Sequence, residues 1–253
     1  MAHPVLWQFR LSHYNEKARW ALDYKQIAHE RRSLLAGLHI PTVVLRTGQK
    51  KVPVLILDGK ATSDSTRIIE ALEGLKPDPR LYPKDPADRR RALELEEHFD
   101  EEFGPHVRRA FFFEILPDKD YTASFLSVEC AERTRRMYRA IFPALAIAMK
   151  LDMGITPATA ARSREKVAAG LDRIAAERQP SGYLVGDRFS VADLTAAALC
   201  APLVIPQEFP YQFPRPIPES AARWCESYAK HPAFGWALDM YRRHRGASAE
   251  IAA

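Results

Sequence analysis

A chain of 253 residues, 47% hydrophobic and 27% charged, is long enough for one large or two small domains, each burying its own core without covalent staples. Its three cysteines, Cys130, Cys200 and Cys225, stand in no metal-ligating or redox spacing, so neither a zinc site nor a disulfide framework is expected and a reducing, cytoplasmic compartment fits. The net charge of +5 resides in residues 1–80, which hold 13 Lys and Arg against 8 Asp and Glu; cations interspersed in this way suit a small anionic ligand, whereas nucleic acid calls for a basic stripe and is not expected.

Val5 to Phe9 is apolar and aromatic and reads as a buried first strand. Ser12-His13-Tyr14-Asn15 then caps a helix on which Tyr14, Ala18, Ala21, Leu22 and Lys25 share one face, while Glu16, Lys17, Arg19 and Asp23 lie on others. Ala28 to Leu34 is the next strand, and Leu38 to Leu45, containing Pro41, is an irregular connection or short helix.

The stretch Lys50 to Ser65 carries more information. Val54-Leu55-Ile56-Leu57 is a buried strand, Asp58-Gly59 a two-residue hairpin turn, and Lys60-Ala61-Thr62 its return. Pro53 cannot donate to a strand ladder, so it belongs at the strand's first position or an edge. It is a candidate for a cis bond that leaves the amide and carbonyl of Val52 free to face a partner. A helix begins at Asp64-Ser65, with Ile68, Ile69, Leu72 and Leu75 at helical spacing. Its first turn offers unpaired amides and two side chains able to grip an amino group and a carboxylate on one ligand end. The order βαβ then ββα is that of a thioredoxin-like α/β domain, expected over residues 1–76.

Lys76 to Asp85 has three prolines and no helical period, which marks a linker over residues 77–86. The rest, 87–253, reads as an all-α domain. Ala87 to Ile115 is a long helix with a kink expected at Gly104-Pro105; Tyr121 to Leu151 and Pro157 to Arg178 follow. The run Phe111-Phe112-Phe113 cannot face one core, so part of it is expected at a cleft or a subunit contact. Ser190 and Asp193 form a capping box flanked by Phe189 and Leu194, and the apolar run Leu194 to Val204 requires a central, buried helix. Pro202 to Pro218 is an extended loop whose Phe209, Tyr211 and Phe213 must pack on something; helices at Glu219–Lys230 and Pro232–Arg243 follow, and residues 246–253 are expected to fray. The N-terminus lacks a basic start followed by an apolar run, and no apolar stretch reaches about 18 residues, so neither secretion nor membrane spanning is expected.

Three stretches together resemble the glutathione S-transferases: Arg10 to Arg19, Val52-Pro53 with Asp64-Ser65, and Tyr183-Leu184-Val185-Gly186-Asp187-Arg188-Phe189-Ser190-Val191-Ala192-Asp193. The resemblance implies a thioredoxin-like domain followed by an all-α domain, a homodimer, and glutathione as co-substrate without a metal. It gives Val52, beside Pro53 and Lys51, the cysteinyl backbone of glutathione, and Asp64 and Ser65 the γ-glutamyl end. Ser12 falls at the position of the catalytic serine or cysteine, where a hydroxyl donating to the thiolate lowers a thiol pKa of about 8.5 toward neutrality. Tyr14 or Asn15 is able to assist or replace it. Redox relatives carry cysteine in this loop; with Ser12 and Asn15 here, disulfide exchange is disfavoured. The expected partner is a small hydrophobic electrophile. The alternative is a non-catalytic ligand-binding or scaffold protein on the same fold.

Overall fold

The computed structural model describes residues 3–251. Its N-terminal part is built around β1 (Val5–Gln8), the second strand of a four-stranded sheet in the order β2-β1-β3-β4. A crossover through α1 (His13–Tyr24) brings β2 (Glu30–Ser33) parallel to β1, and β3 (Val54–Leu57) pairs with β1 on its other side, antiparallel. Asp58 and Gly59 both take positive φ, 46° and 77°, as a tight hairpin into β4 (Lys60–Ser63) demands. The segment around Pro41 is helical: α2 (Ile40–Thr47) places this proline in its first turn, where a missing N–H costs nothing, and ends on Gly48 at φ 72°. α3 (Ser65–Leu75) closes this part.

The sequence assigns Glu16, Lys17, Arg19 and Asp23 to faces away from the apolar side of α1, yet all four are buried. α1 is packed on α3 on one side and on α9 (Val191–Val204) on the other, so it has no solvent face. Burial of its charges is tolerated because each is paired: Glu16 with Arg19 and Arg245, Asp23 with Arg31 and Arg245, Lys17 with Glu96 and Asp100. Trp20 lies between Phe189 and Tyr241, with ring centroids 5.6 and 4.4 Å away, and its indole donates to the carbonyl of His244 at 2.9 Å. One continuous apolar core therefore joins the sheet domain to the helices.

The expected long helix over 87–115 is α4 (Pro86–His98), a π-helical turn at Phe99–Phe103, and α5 (Gly104–Ile115). The irregularity ends at Gly104-Pro105, where proline has no N–H to continue the ladder. Phe111 is buried against Phe125, Phe213 and Trp224; Phe112 and Phe113 are half-buried, against Phe125 and under the Arg164 guanidinium. The single helix expected over 121–151 is two, α6 (Lys119–Leu126) and α7 (Glu132–Asp152), separated by a turn in which Glu129 takes φ 57°. No Gly or Pro signals that break. α8 (Pro157–Glu177) leads into α9, which is buried along its whole length and includes Pro202, so the aromatic loop starts only after Val204. α10 (Glu219–Glu226) and α11 (Pro232–His244) complete the helices.

The tail does not fray over its described part. Ala249 donates its N–H to Asp23 at 2.8 Å, its carbonyl accepts from His29, and Ile251 donates back to the His29 carbonyl at 2.9 Å; residues 252 and 253 lie outside the described residues. No single helix among the described residues is long and apolar enough to cross a membrane.

Candidate functional site

Strand register assembles the site. Trp7 pairs with Val54, and Val54 with Ser63, so the end of β1, the start of β3 and the end of β4 lie side by side, about 4.8 Å apart. The loop carrying Ser12 follows the first, Val52-Pro53 precedes the second, and Asp64-Ser65 follows the third. Two helix N-termini, those of α1 and α3, meet at this one end of the sheet and give it a partial positive charge.

Ser12 is the half-buried N-cap of α1. Its Oγ accepts from the Asn15 amide Nδ2 at 2.6 Å and more weakly from the Asn15 backbone N–H at 3.4 Å. With both acceptor positions taken, the hydroxyl proton is left to donate elsewhere. Asn15 is fully buried and its Oδ1 accepts the Phe9 N–H at 3.2 Å, so it serves to hold this loop. Tyr14 turns to the helical side, where its hydroxyl donates to the Asp100 carbonyl at 2.7 Å. Burial, helped by the Asp100 carboxylate, pushes its pKa far above the ordinary phenol range, so its proton stays in place. His13, beside Ser12, has its pKa pushed down to about 3 by burial and by the Arg108 guanidinium; it is neutral near pH 7.

Val52-Pro53 is a cis peptide. Among the described residues, neither the N–H nor the carbonyl of Val52 has a protein hydrogen-bond partner. Pro53 is buried beneath it, and Lys51 is exposed with its backbone tied to the side chain of Gln49. Asp64 is exposed at φ 81°, and its Oδ1 accepts from the N–H groups of Thr66 and Arg67 at 2.9 and 3.3 Å, capping α3. Ser65 is 3% exposed.

Sequence reasoning missed three supports of this site. Gln49 reaches the Ser63 hydroxyl at 3.0 Å and so ties the loop before Val52 to the end of β4. Lys17 is fully buried; its ammonium donates to Thr66 Oγ1 at 2.8 Å and to Asp100 at 2.5 Å and is ion-paired with Glu96 at 2.9 Å, which pins α1 to the first turn of α3. Burial opposes its charge, but the Asp100 and Glu96 carboxylates outweigh that and hold its pKa above the ordinary lysine value. The third support is the segment from Glu129 through α7. Glu129 pairs with Arg10 at 3.5 Å, Tyr138 donates to the Ala36 carbonyl, and Asp152 pairs with Lys50, so α7 runs beside the β2–α2 loop. No local motif announces these contacts; the nearest pair, Gln49 and Ser63, is 14 positions apart and the others join residues much further apart in the chain.

The N-terminal domain profile of glutathione S-transferase matches residues 6–80 and its C-terminal domain profile matches 157–227. Among curated relatives, a probable glutathione S-transferase of Solanum tuberosum is 30% identical over 115 residues, 44% of this chain and 52% of that protein. A probable maleylacetoacetate isomerase 1 of Drosophila melanogaster is 35% identical over 100 residues, 37% and 41% of the two chains. The matches thus span about half the length of these relatives. Among solved structures, a glutathione S-transferase from Xanthobacter autotrophicus Py2 superposes with a TM-score of 0.62 at 17% identity, covering 95% of this chain and 93% of the other. A glutathione transferase homologue from Sulfitobacter, solved with bound glutathione, gives 0.60 at 12%, covering 96% and 94%. These likenesses establish a common fold. With both domain profiles matched over more than half of its residues and the fold shared along nearly its whole length, the chain belongs to the glutathione S-transferase family.

Proposed function

We propose that this chain is a glutathione-dependent transferase that binds the tripeptide at the end of its sheet and uses the thiolate on a small hydrophobic electrophile. The observation that carries the reading is the convergence, through strand register, of the Ser12 hydroxyl, the unpaired backbone of Val52 and the first turn of α3. In this reading Val52 pairs antiparallel with the cysteinyl backbone, and the free oxygen of Asp64, with Ser65, receives the γ-glutamyl end. Ser12 donates its proton to the thiolate and so favours the charged form over the thiol. Asn15 keeps the hydroxyl pointed by filling its acceptor positions. Tyr14 is set below Ser12 as the donor because its proton is engaged by Asp100.

Domains at 1–76 and 87–253 with a linker at 77–86, a homodimer and a cytoplasmic location belong to the same reading, supported by family membership and by three free thiols among the described residues. A held thiolate serves conjugation, dehalogenation, isomerisation and peroxide reduction alike. Capture on immobilised glutathione, followed by turnover assays on a panel spanning these four reactions, tests the proposal. Retention with turnover of at least one electrophile is expected. Retention without turnover across the panel supports a binding or scaffold protein instead, and failure to bind glutathione overturns the site.

A further inference from the structure

The aromatic loop between α9 and α10 has no place in the chemistry above, yet its Phe209 and Tyr211 pack on Arg10 and Arg19, which flank the loop that carries Ser12. Gln8, the last residue of β1, is wholly buried, and its amide stands at the junction. Nε2 donates to the Tyr211 hydroxyl at 2.7 Å and to Ser33 Oγ at 3.3 Å; Oε1 accepts from Arg19 Nη1 at 2.7 Å. The buried Arg19 guanidinium then grips the catalytic loop from beneath. Nη1 donates to the Phe9 carbonyl at 3.1 Å and Nη2 to the Ser12 carbonyl at 3.3 Å, while Nε is held by Glu16 at 2.8 Å. The rings of Phe209 and Tyr211 lie 5.4 and 5.2 Å from the same guanidinium.

We infer that the aromatic loop, through Tyr211, Gln8 and Arg19, sets the position of Ser12, making all three positioning residues. A planar guanidinium has donors only, in a fixed fork, so it fixes whatever carbonyls it reaches. Gln8 stabilises that fork only while its oxygen faces Arg19. The donor-only guanidinium requires the amide oxygen on its side, and the Tyr211 hydroxyl, accepting from Nε2, anchors the other end of the amide and so holds that oxygen in place at Arg19. Without it Nε2 keeps only the longer bond to Ser33 Oγ at 3.3 Å, and the amide, with the guanidinium it supports, is free to shift. Ser12 would then lose the support that aims its hydroxyl, and a thiolate contact is sensitive to displacements of about 1 Å.

The inference rests on the reading of Ser12 as the thiolate's donor, and its test separates the two. Tyr211→Phe keeps the ring and removes the hydroxyl; Gln8→Met keeps the volume and removes the acceptor, and carries the same test if the first variant does not fold. Thiolate absorbance of bound glutathione is followed against pH in the wild type, in each variant, in Ser12→Ala and in Ser12→Ala/Tyr211→Phe, with glutathione affinity measured by calorimetry. The bound thiol's pKa is expected to rise by about half to one unit in Tyr211→Phe, a three- to tenfold change in the thiolate ratio, with affinity within about twofold of wild type. In the Ser12→Ala background the same change is expected to add nothing, because both act through one contact. A merely structural tyrosine lowers the melting midpoint and leaves the titration on the wild-type curve, and that result overturns the inference while Ser12→Ala still shifts. If Ser12→Ala does not shift either, both readings fall together.

Discussion

Asp64 has one carboxylate oxygen engaged in capping α3 and, in the proposed reading, the other directed at a ligand ammonium. The two roles respond differently to substitution. Asn is as good an N-cap as Asp and enters positive φ more readily than most residues, so Asp64→Asn is expected to change stability by less than about 0.5 kcal/mol. It removes the charge, however, and glutathione binding should weaken by about 1.5–3 kcal/mol, the range for a hydrogen bond to a charged group. Ser65→Ala should weaken it in the same direction. Calorimetry beside thermal denaturation separates the roles; unchanged affinity in both variants would remove these residues from the site. Ser12 differs from Asp64 in that its cap bond to Asn15 N–H is long, 3.4 Å, and its shorter bond comes from a side chain. Its hydroxyl is thus arranged by its neighbour as much as it caps the helix.

Among the elements, α9 was the most legible, and the burial of the charged side chains of α1 was among the least. Phe189-Ser190-Val191-Ala192-Asp193 announces a capped, buried helix, and Asp193 indeed accepts from the Ser190 N–H at 2.9 Å. It also accepts the Leu184 N–H at 2.8 Å, which local sequence does not foretell. Burial outweighs these hydrogen bonds and pushes the Asp193 pKa up to about 6. The unfolded carboxylate titrates near 3.9, so between these values the folded state holds the proton more tightly. Stability from this group is therefore lost as pH rises from about 4 to about 6, by at most about 3 kcal/mol. Urea denaturation of wild type and Asp193→Asn across that interval should show the difference in unfolding free energy, wild type minus variant, falling with pH. A flat difference would mean the carboxyl keeps an ordinary pKa. The burial of the α1 charges is not legible locally for a simple reason: the partners that neutralise Glu16, Lys17 and Asp23, Asp100 and Arg245 among them, come from other elements. The same holds for the tail that His29 and Asp23 hold down.

For the whole molecule, the readable parts of the candidate site are those whose geometry is local. Val52-Pro53 is a proline at a strand mouth, Asp64-Ser65 and Ser12 are helix starts, and strand pairing alone brings them to one end of the sheet. The unreadable parts are bonds across large sequence separations, such as Gln8 to Tyr211 and Glu16 to Arg245, which form only once both domains are packed into one core. The candidate site draws on both domains: α1 carries the serine to the sheet's end while α9, α11 and the aromatic loop pack on α1. Whether that assembly stabilises a thiolate is decided by the titration of glutathione's thiol, followed by thiolate absorbance in the wild-type and Ser12→Ala complexes. The wild-type complex is expected to titrate well below the free-thiol value of about 8.5, and Ser12→Ala to move the curve back toward it with affinity nearly intact, neutral-pH turnover falling about tenfold per unit. Overlapping curves for the two complexes would contradict that expectation.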